Sequence, residues 1–180
     1  MKACVLHAVG DIRYEDVPMP KRGEGEVLLK IRAAGVCGSD IPRVFEKGTY
    51  HFPTIPGHEF AGEIVEADDK SLIGRRAAVF PLLPCRKCTP CELGEFANCE
   101  NYDYYGSRRD GAFAEYLAVD IRNLILLPGN LSDAYVQSRC LCQDLSAFEV
   151  KCVLNGGMNP LADLYLKMHK VVSTEDALPQ

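Results

Sequence analysis

The sequence lacks both long apolar runs and blocks of like charge. Its best apolar run, AAVFPLLPC, contains two prolines and is far shorter than the about 20 residues that a transmembrane helix needs. The N-terminus has only a short apolar run before Asp11 and Arg13, which argues against a secretory signal. The net charge of −5 is mild, with acidic and basic residues interspersed. We therefore expect a cytoplasmic protein that binds neither membranes nor nucleic acid.

A disulfide framework is also disfavoured, because the chain has nine cysteines, an odd number, and cytosolic thiols stay reduced. Four of them follow the spacing C-x2-C-x2-C-x7-C: Cys85, Cys88, Cys91 and Cys99. Four thiolates suit a closed, tetrahedral structural zinc site. An iron–sulfur cluster is the alternative, but bacterial ferredoxins usually have a three-residue last gap followed by proline, whereas Glu100 follows here. The spacing favours a structural zinc lobe over residues 84–100.

A second group of possible metal ligands comes from the motifs GVCGSD and PGHEFAG. Alone, Cys37 would most often be a small buried apolar residue and His58 a hydrogen-bonded histidine. Together with Glu59 they supply a thiolate, an imidazole and a carboxylate. Such a mixed set is typical of a catalytic zinc that keeps one coordination position open.

Two residues of the first motif could support that metal. Asp40 could accept a hydrogen bond from the imidazole and fix its tautomer, as metal-ligating histidines require. Ser39 could pass a proton between a substrate oxygen and solvent. The motifs by themselves favour a catalytic metal, and a purely structural role is the alternative.

Short runs rich in Val, Ile, Leu and aromatic residues recur through the first 130 residues, separated by Gly, Pro, Asp and Ser. The runs cover residues 2–6, 27–36, 61–67, 76–80, 112–119 and 123–127. Many short strands with frequent turns predict a mostly β domain, closed or sandwiched, rather than βαβ repeats.

Residues 1–131 resemble the N-terminal GroES-like catalytic domain of the zinc-dependent medium-chain dehydrogenases. GVCGSD is similar to the family's first zinc motif, GHEFAG to its G-H-E-x-x-G signature, and the four cysteines to its structural zinc lobe. FPTIPGHE and GSRRDGAFAEY are similar to the sorbitol and galactitol-1-phosphate branch. The resemblance implies a GroES-like β-barrel that acts on a small alcohol or polyol, with NAD as hydride acceptor.

Carried over by this resemblance, Cys37 and His58 would bind the catalytic zinc, and Glu59 would bind it or lie just behind it. Ser39 would begin the proton relay. Arg108 and Arg109 could clamp a substrate phosphate, since guanidinium groups bind phosphate bidentately. The alternative for this pair is a charged turn between strands.

The sequence departs from the family after about Ser132. The Glu-Pro motif, whose glutamate can be a further zinc ligand, is missing, and so is any G-x-G-x-x-G motif. About fifty residues are too few for a Rossmann domain. We therefore expect a weak catalytic zinc site and no turnover by the chain alone. A non-catalytic zinc-binding interaction module is the alternative function.

Residues 132–180 predict a short helical tail of unclear origin. Apolar residues at helical spacing mark two segments, 144–154 and 159–170, separated by a glycine pair. Cys140, Cys142 and Cys152 match no ligand spacing and are expected to be free thiols. The apolar faces should cover surface of the first domain or pair with a second copy in a homodimer.

Overall fold

The computed structural model describes residues 1–128, and nine β-strands account for most of the regular structure within that range. The strands are β1 Lys2–Ala8, β2 Asp11–Asp16, β3 Glu26–Gly35, β4 Glu59–Glu66, β5 Arg76–Val79, β6 Leu82–Leu83, β7 Asp103–Tyr104, β8 Tyr116–Asp120 and β9 Leu124–Leu126. Helical segments are short: α1 Asp40–Pro42, α2 Thr89–Glu92, a π-helical turn Arg43–Lys47, and 3₁₀ turns Lys70–Leu72, Phe96–Asn98 and Ile121–Asn123. None of the helices in this range could cross a bilayer.

Five strands form one antiparallel sheet in the order β8-β3-β4-β5-β9. β1 and β2 form a hairpin, and isolated bridges at Ala3–Ala114 and Leu6–Thr54 connect it to the rest. β6 and β7 make a small separate ladder beside the four cysteines. Among neighbours in this sheet only β4 and β5 are joined by a short connection, residues 67–75; residues 36–58 separate β3 from β4, and β8 and β9 return to the two edges of the sheet from later in the chain.

The core lies between the hairpin and the central sheet. Leu6 comes from β1, Leu29 from β3 and Phe60 from β4, and all three are fully buried in one apolar cluster. Burial of such a side chain stabilises the fold by roughly 1.5–3 kcal/mol. The cluster surrounds the ends of β3 and β4, so the residues just beyond those ends are held on a rigid base.

The predicted mostly β fold is confirmed, although the prediction missed β2, β6 and β7 and placed residues 112–115 in a strand. The sequence pattern did not predict β2 because four of its six residues are charged, and only Ile12 and Tyr14 pack against the core. Residues 112–115 lie in irregular chain apart from the bridge at Ala114. The predicted tail helices and the three cysteines of the tail lie outside the described residues.

Candidate metal centres

Strand pairing brings the two mixed-ligand motifs together. β3 ends at Gly35 and β4 begins at Glu59, and these two residues are partners in the antiparallel ladder. Cys37 follows the end of β3 by two residues, and His58 immediately precedes β4. Two motifs more than twenty residues apart in sequence therefore meet at one edge of the sheet.

The potential ligand atoms of Cys37, His58 and Glu59 all lie within 4.8 Å of one another. Cys37 is half-buried, whereas His58 and Glu59 are buried. A thiolate, an imidazole and a carboxylate at this separation fit a tetrahedral zinc site with a fourth, open position. The half-buried thiol leaves one side of the set accessible.

Asp40 is fully buried behind this set and contacts two of its members as well as Arg43. It accepts the Cys37 N–H at 3.0 Å, pairs with Arg43 at 3.2 Å, and lies 3.3 Å from His58 Nδ1. Nδ1 itself is buried, and within residues 1–128 it makes no hydrogen bond of good geometry. The expected hydrogen bond from the imidazole to Asp40 is therefore not formed with good geometry, and the contact of Asp40 with His58 is mainly electrostatic.

The pKa values of Cys37 and His58 shift in opposite directions. The hydrogen bond with His58 outweighs burial and lowers the pKa of the Cys37 thiol, with a smaller contribution from Ser39. Burial acts to lower the pKa of His58, but Asp40 and Cys37 together raise it to about 9. The lowered thiol pKa favours the thiolate form that a metal needs, while the imidazole must lose a proton before it can bind a metal.

Ser39 is exposed beside Cys37, at the open side of the set. Two further neighbours were missed by the sequence reasoning. Arg43 could have been found as the residue one helical turn after Asp40. Tyr104, whose ring centroid lies 5.7 Å from that of His58, carries no signal in the sequence, because only folding brings β7 to β4.

Close backbone contact fixes the position of the GHE motif. Gly57 has a φ of +96°, and a Cβ there would lie 2.5 Å from the Phe113 ring. From the opposite loop, a Cβ at Gly106 would lie 2.7 Å from Gly57 O and one at Gly111 only 2.1 Å from it. Glycine is required at Gly106 and Gly111 because main chain approaches main chain there, and at Gly57 because of its positive φ and the Phe113 ring.

The four spaced cysteines also converge: their sulfur atoms lie within 4.8 Å of one another. Cys88, Cys91 and Cys99 are buried and Cys85 is partly exposed. The Cys85 N–H donates to Cys99 Sγ at 3.2 Å. Burial acts to raise the pKa of the Cys99 thiol, but hydrogen bonds from such backbone N–H groups outweigh it, and the pKa is lowered. The geometry fits a closed four-thiolate site.

The arginine pair has protein partners. Arg109 lies 3.4 Å from a Glu26 oxygen and 3.9 Å from an Asp103 oxygen. The guanidinium of Arg108 stacks on the rings of Tyr50 and Tyr102. These contacts support the interpretation of a charged turn, and a substrate phosphate bound by the pair stays a prediction.

Comparison with known proteins gives one family. The model described as "Alcohol dehydrogenase GroES-like domain" matches residues 23–129. Galactitol 1-phosphate 5-dehydrogenase of Escherichia coli K12 is 40% identical over 135 residues, which are 73% of this chain and 39% of that protein. Sorbitol dehydrogenase of Bacillus subtilis is 36% identical over 140 residues, 73% of this chain and 40% of that protein.

Solved structures agree. The crystal structure of galactitol-1-phosphate dehydrogenase from Escherichia coli has a TM-score of 0.70 at 40% identity, covering 74% of this chain and 40% of that one. A putative zinc-binding dehydrogenase from Sinorhizobium meliloti bound to NADP has a TM-score of 0.69 at 33% identity, with coverage of 73% and 40%. The predicted GroES-like fold is confirmed, and the chain spans about two fifths of the length of these relatives.

Proposed function

Because the chain belongs to the zinc-dependent medium-chain alcohol and polyol dehydrogenase family, we propose that it carries the metal-binding catalytic domain of an NAD-dependent dehydrogenase. The substrate is a polyol or a sugar-alcohol phosphate, as the names of the galactitol 1-phosphate and sorbitol enzymes suggest. The observation that carries the proposal is the convergence of Cys37, His58 and Glu59 within 4.8 Å.

In this proposal Cys37 and His58 hold zinc, and Glu59 binds it or lies just behind it. Zinc, when bound there, supplies a Lewis acid that polarises the alcohol oxygen and lowers its pKa. Asp40 keeps the His58 ring oriented, since its carboxylate lies 3.3 Å from Nδ1 and is itself held by Arg43.

Proton removal from the alcohol is assigned to Ser39. Its hydroxyl is exposed next to the Cys37 sulfur, so it can accept a proton from a substrate oxygen on one side and release a proton to solvent on the other. NAD, if held beside this site, would supply the hydride acceptor that oxidation of the alcohol to a carbonyl requires.

The chain assayed by itself should not turn over. Hydride transfer requires the nicotinamide to be held beside the alcohol, and within the described residues 1–128 no parallel dinucleotide-binding sheet occurs. We therefore propose that residues 1–128 supply the metal and the proton path, while the cofactor is bound elsewhere. The activity of the whole enzyme is part of this proposal.

The four-cysteine lobe is proposed to hold a second, structural zinc. Its donors are all thiols, which leaves no position for substrate, and the 2-residue gaps allow successive sulfurs to face one centre. The six cysteines of residues 1–128 are all free of disulfides, which supports a cytoplasmic location. A homodimer is also proposed, and light scattering can test it. It is supported by exposed apolar side chains at the β5–β9 edge, which are Phe80, Ile121, Ile125 and Leu126.

Metal analysis of Cys37→Ser tests the central assignment. Under metal-replete conditions the variant should bind less metal than the wild type, because one of three converging donors loses its thiolate. Cys4→Ala is the matched control, since Cys4 is buried outside both cysteine-bearing sets and should leave the metal content unchanged. Equal metal content in Cys37→Ser and wild type would remove Cys37 as a ligand, and the non-catalytic zinc-binding module would then be the better function.

A further inference from the structure

Arg108 contacts two tyrosine rings. Its guanidinium carbon is 4.1 Å from the ring centroid of Tyr50 and 4.4 Å from that of Tyr102. Both distances are well inside the about 6 Å limit for a favourable cation–π contact. The cation therefore has two aromatic rings as partners, and Arg108, Tyr50 and Tyr102 are together named the tyrosine–arginine stack.

The stack is not a by-product of ion pairing. Among residues 1–128 no carboxylate pairs with Arg108, whereas the neighbouring Arg109 pairs with Glu26 and Asp103. The Tyr102 hydroxyl also accepts a hydrogen bond from Arg108, which lowers the pKa of that hydroxyl. Tyr50 is 66% exposed, so burial of apolar surface does not explain why its ring lies over the cation.

One end of the stack belongs to the four-cysteine lobe. Tyr102 follows Cys99 by three residues and packs against the buried cluster of Cys88, Cys91 and Cys99. The position of the Tyr102 ring thus depends on how the four thiols are gathered.

The other end belongs to the segment that leads into His58. The Tyr50 N–H donates to Ser107 O at 3.3 Å, and a ring nitrogen of His51 lies 3.1 Å from Arg108 O. Four residues after Tyr50, Thr54 exchanges two backbone hydrogen bonds with Leu6 of β1, at 2.8 and 3.1 Å. Tyr50 therefore lies at the start of the segment, residues 50–58, that hydrogen bonds to β1 and to residues 107–108 hold in place before His58.

We propose that Arg108 is a positioning residue that connects the four-cysteine lobe to the segment carrying His58, so that an ordered lobe strengthens metal binding at Cys37, His58 and Glu59. The inference rests on the proposed metal site at those three residues. It assigns to the lobe an effect on the other metal centre in addition to local stability. By linkage, metal at either centre favours metal at the other.

The test is a titration with Co²⁺ of the full 180-residue chain, with zinc retained in the lobe and the Cys37 set stripped by mild chelation. Binding is followed by the visible absorption that Co²⁺ gains on thiolate ligation. In Arg108→Met, which keeps the length of the stem but removes the cation, affinity should fall roughly tenfold, within the usual range of coupling between sites. Arg108→Lys should restore part of that loss, because an ammonium still interacts with the rings.

Two further variants protect the test against misfolding and against simple charge effects. Tyr50→Leu changes the exposed end of the stack, where loss of the fold is not expected, and should give the same weakening. Arg32→Met is the charge control: Arg32 pairs with Glu63 on the central sheet and lies outside the stack, so Co²⁺ affinity should equal that of the wild type.

Disruption of the lobe by Cys88→Ser should weaken Co²⁺ binding by a similar factor, and Arg108→Met should add nothing in that background. Folded Arg108→Met and Tyr50→Leu proteins with wild-type Co²⁺ affinity would overturn the inference while leaving the proposed function intact. If the Cys37→Ser chain instead gave the same Co²⁺ spectrum as the wild-type chain, the proposed metal site would be overturned, and this inference with it.

Discussion

The contact between Gly106 and Gly57 allows a quantitative test of how the metal-binding motif is held. Gly106 has a φ of +76°, and the three atoms nearest to an added Cβ are the O, C and N of Gly57, at 2.7 to 2.8 Å. All three are main-chain atoms, so no side chain can move aside. Gly74 has nearly the same φ, +81°, but an added Cβ there meets nothing within 4 Å.

The pair Gly106→Ala and Gly74→Ala separates backbone strain from steric overlap. Left-handed backbone costs an alanine about 1–2 kcal/mol at either position, and the lower entropy of the unfolded chain offsets about 0.4–1 kcal/mol of that in both. Only Gly106→Ala adds overpacking, which costs about 1–3 kcal/mol. Gly106→Ala should therefore be less stable than Gly74→Ala by about 1–3 kcal/mol.

Urea denaturation of the zinc-loaded chain, followed by circular dichroism, measures this difference. Gly111→Ala is a useful third variant, because Gly111 has no left-handed backbone but its Cβ would lie 2.1 Å from Gly57 O. It should lose stability through overlap alone and should also weaken metal binding at the adjacent His58. Equal unfolding midpoints for Gly106→Ala and Gly74→Ala would refute the view that this backbone contact is tight.

Three further outcomes are expected. Cys91→Ser should bind one zinc fewer than wild type and lose order around residues 85–99. The reason is that a structural zinc contributes on the order of 10 kcal/mol in small peptides. Iron or a brown colour in the wild type would contradict a zinc lobe. Affinity for Co²⁺ at Cys37 and His58 should rise from pH 7 to about pH 9 and then level off. The His58 imidazole, with its pKa raised to about 9, must release a proton when it binds the metal. An affinity independent of pH would show that His58 is not a ligand. The pure 180-residue chain should show no NAD-dependent oxidation of sorbitol or of a sugar-alcohol phosphate, and robust turnover would mean that a cofactor site is formed by this chain or by a second copy.

Much of the candidate site could be predicted from the sequence because its ligands come in short, chemically distinctive motifs. Cysteines with two-residue gaps restrict where their sulfurs can point, so the gathering of Cys85, Cys88 and Cys91 is largely a local property. The strand pattern was also local, since β-branched and apolar runs alternate with Gly and Pro. β2 was missed because its apolar residues are only Ile12 and Tyr14 among charges, and its place in a hairpin depends on pairing with β1.

Other features were decided only by the tertiary structure. The register that pairs Gly35 with Glu59 brings Cys37 to His58, and no local pattern specifies that register. Tyr104 reaches the His58 ring from a strand of another ladder.

The arginines show the same division most clearly. The sequence Arg108-Arg109 presents two equivalent cations, but folding pairs Arg109 with carboxylates and brings Arg108 into contact with two tyrosines about fifty residues apart in the chain. The sequence by itself determined which chemical groups are available and which short segments form strands or metal-binding loops. Which groups become partners depends on long-range packing, because one rigid core fixes the distances between segments that are remote in sequence.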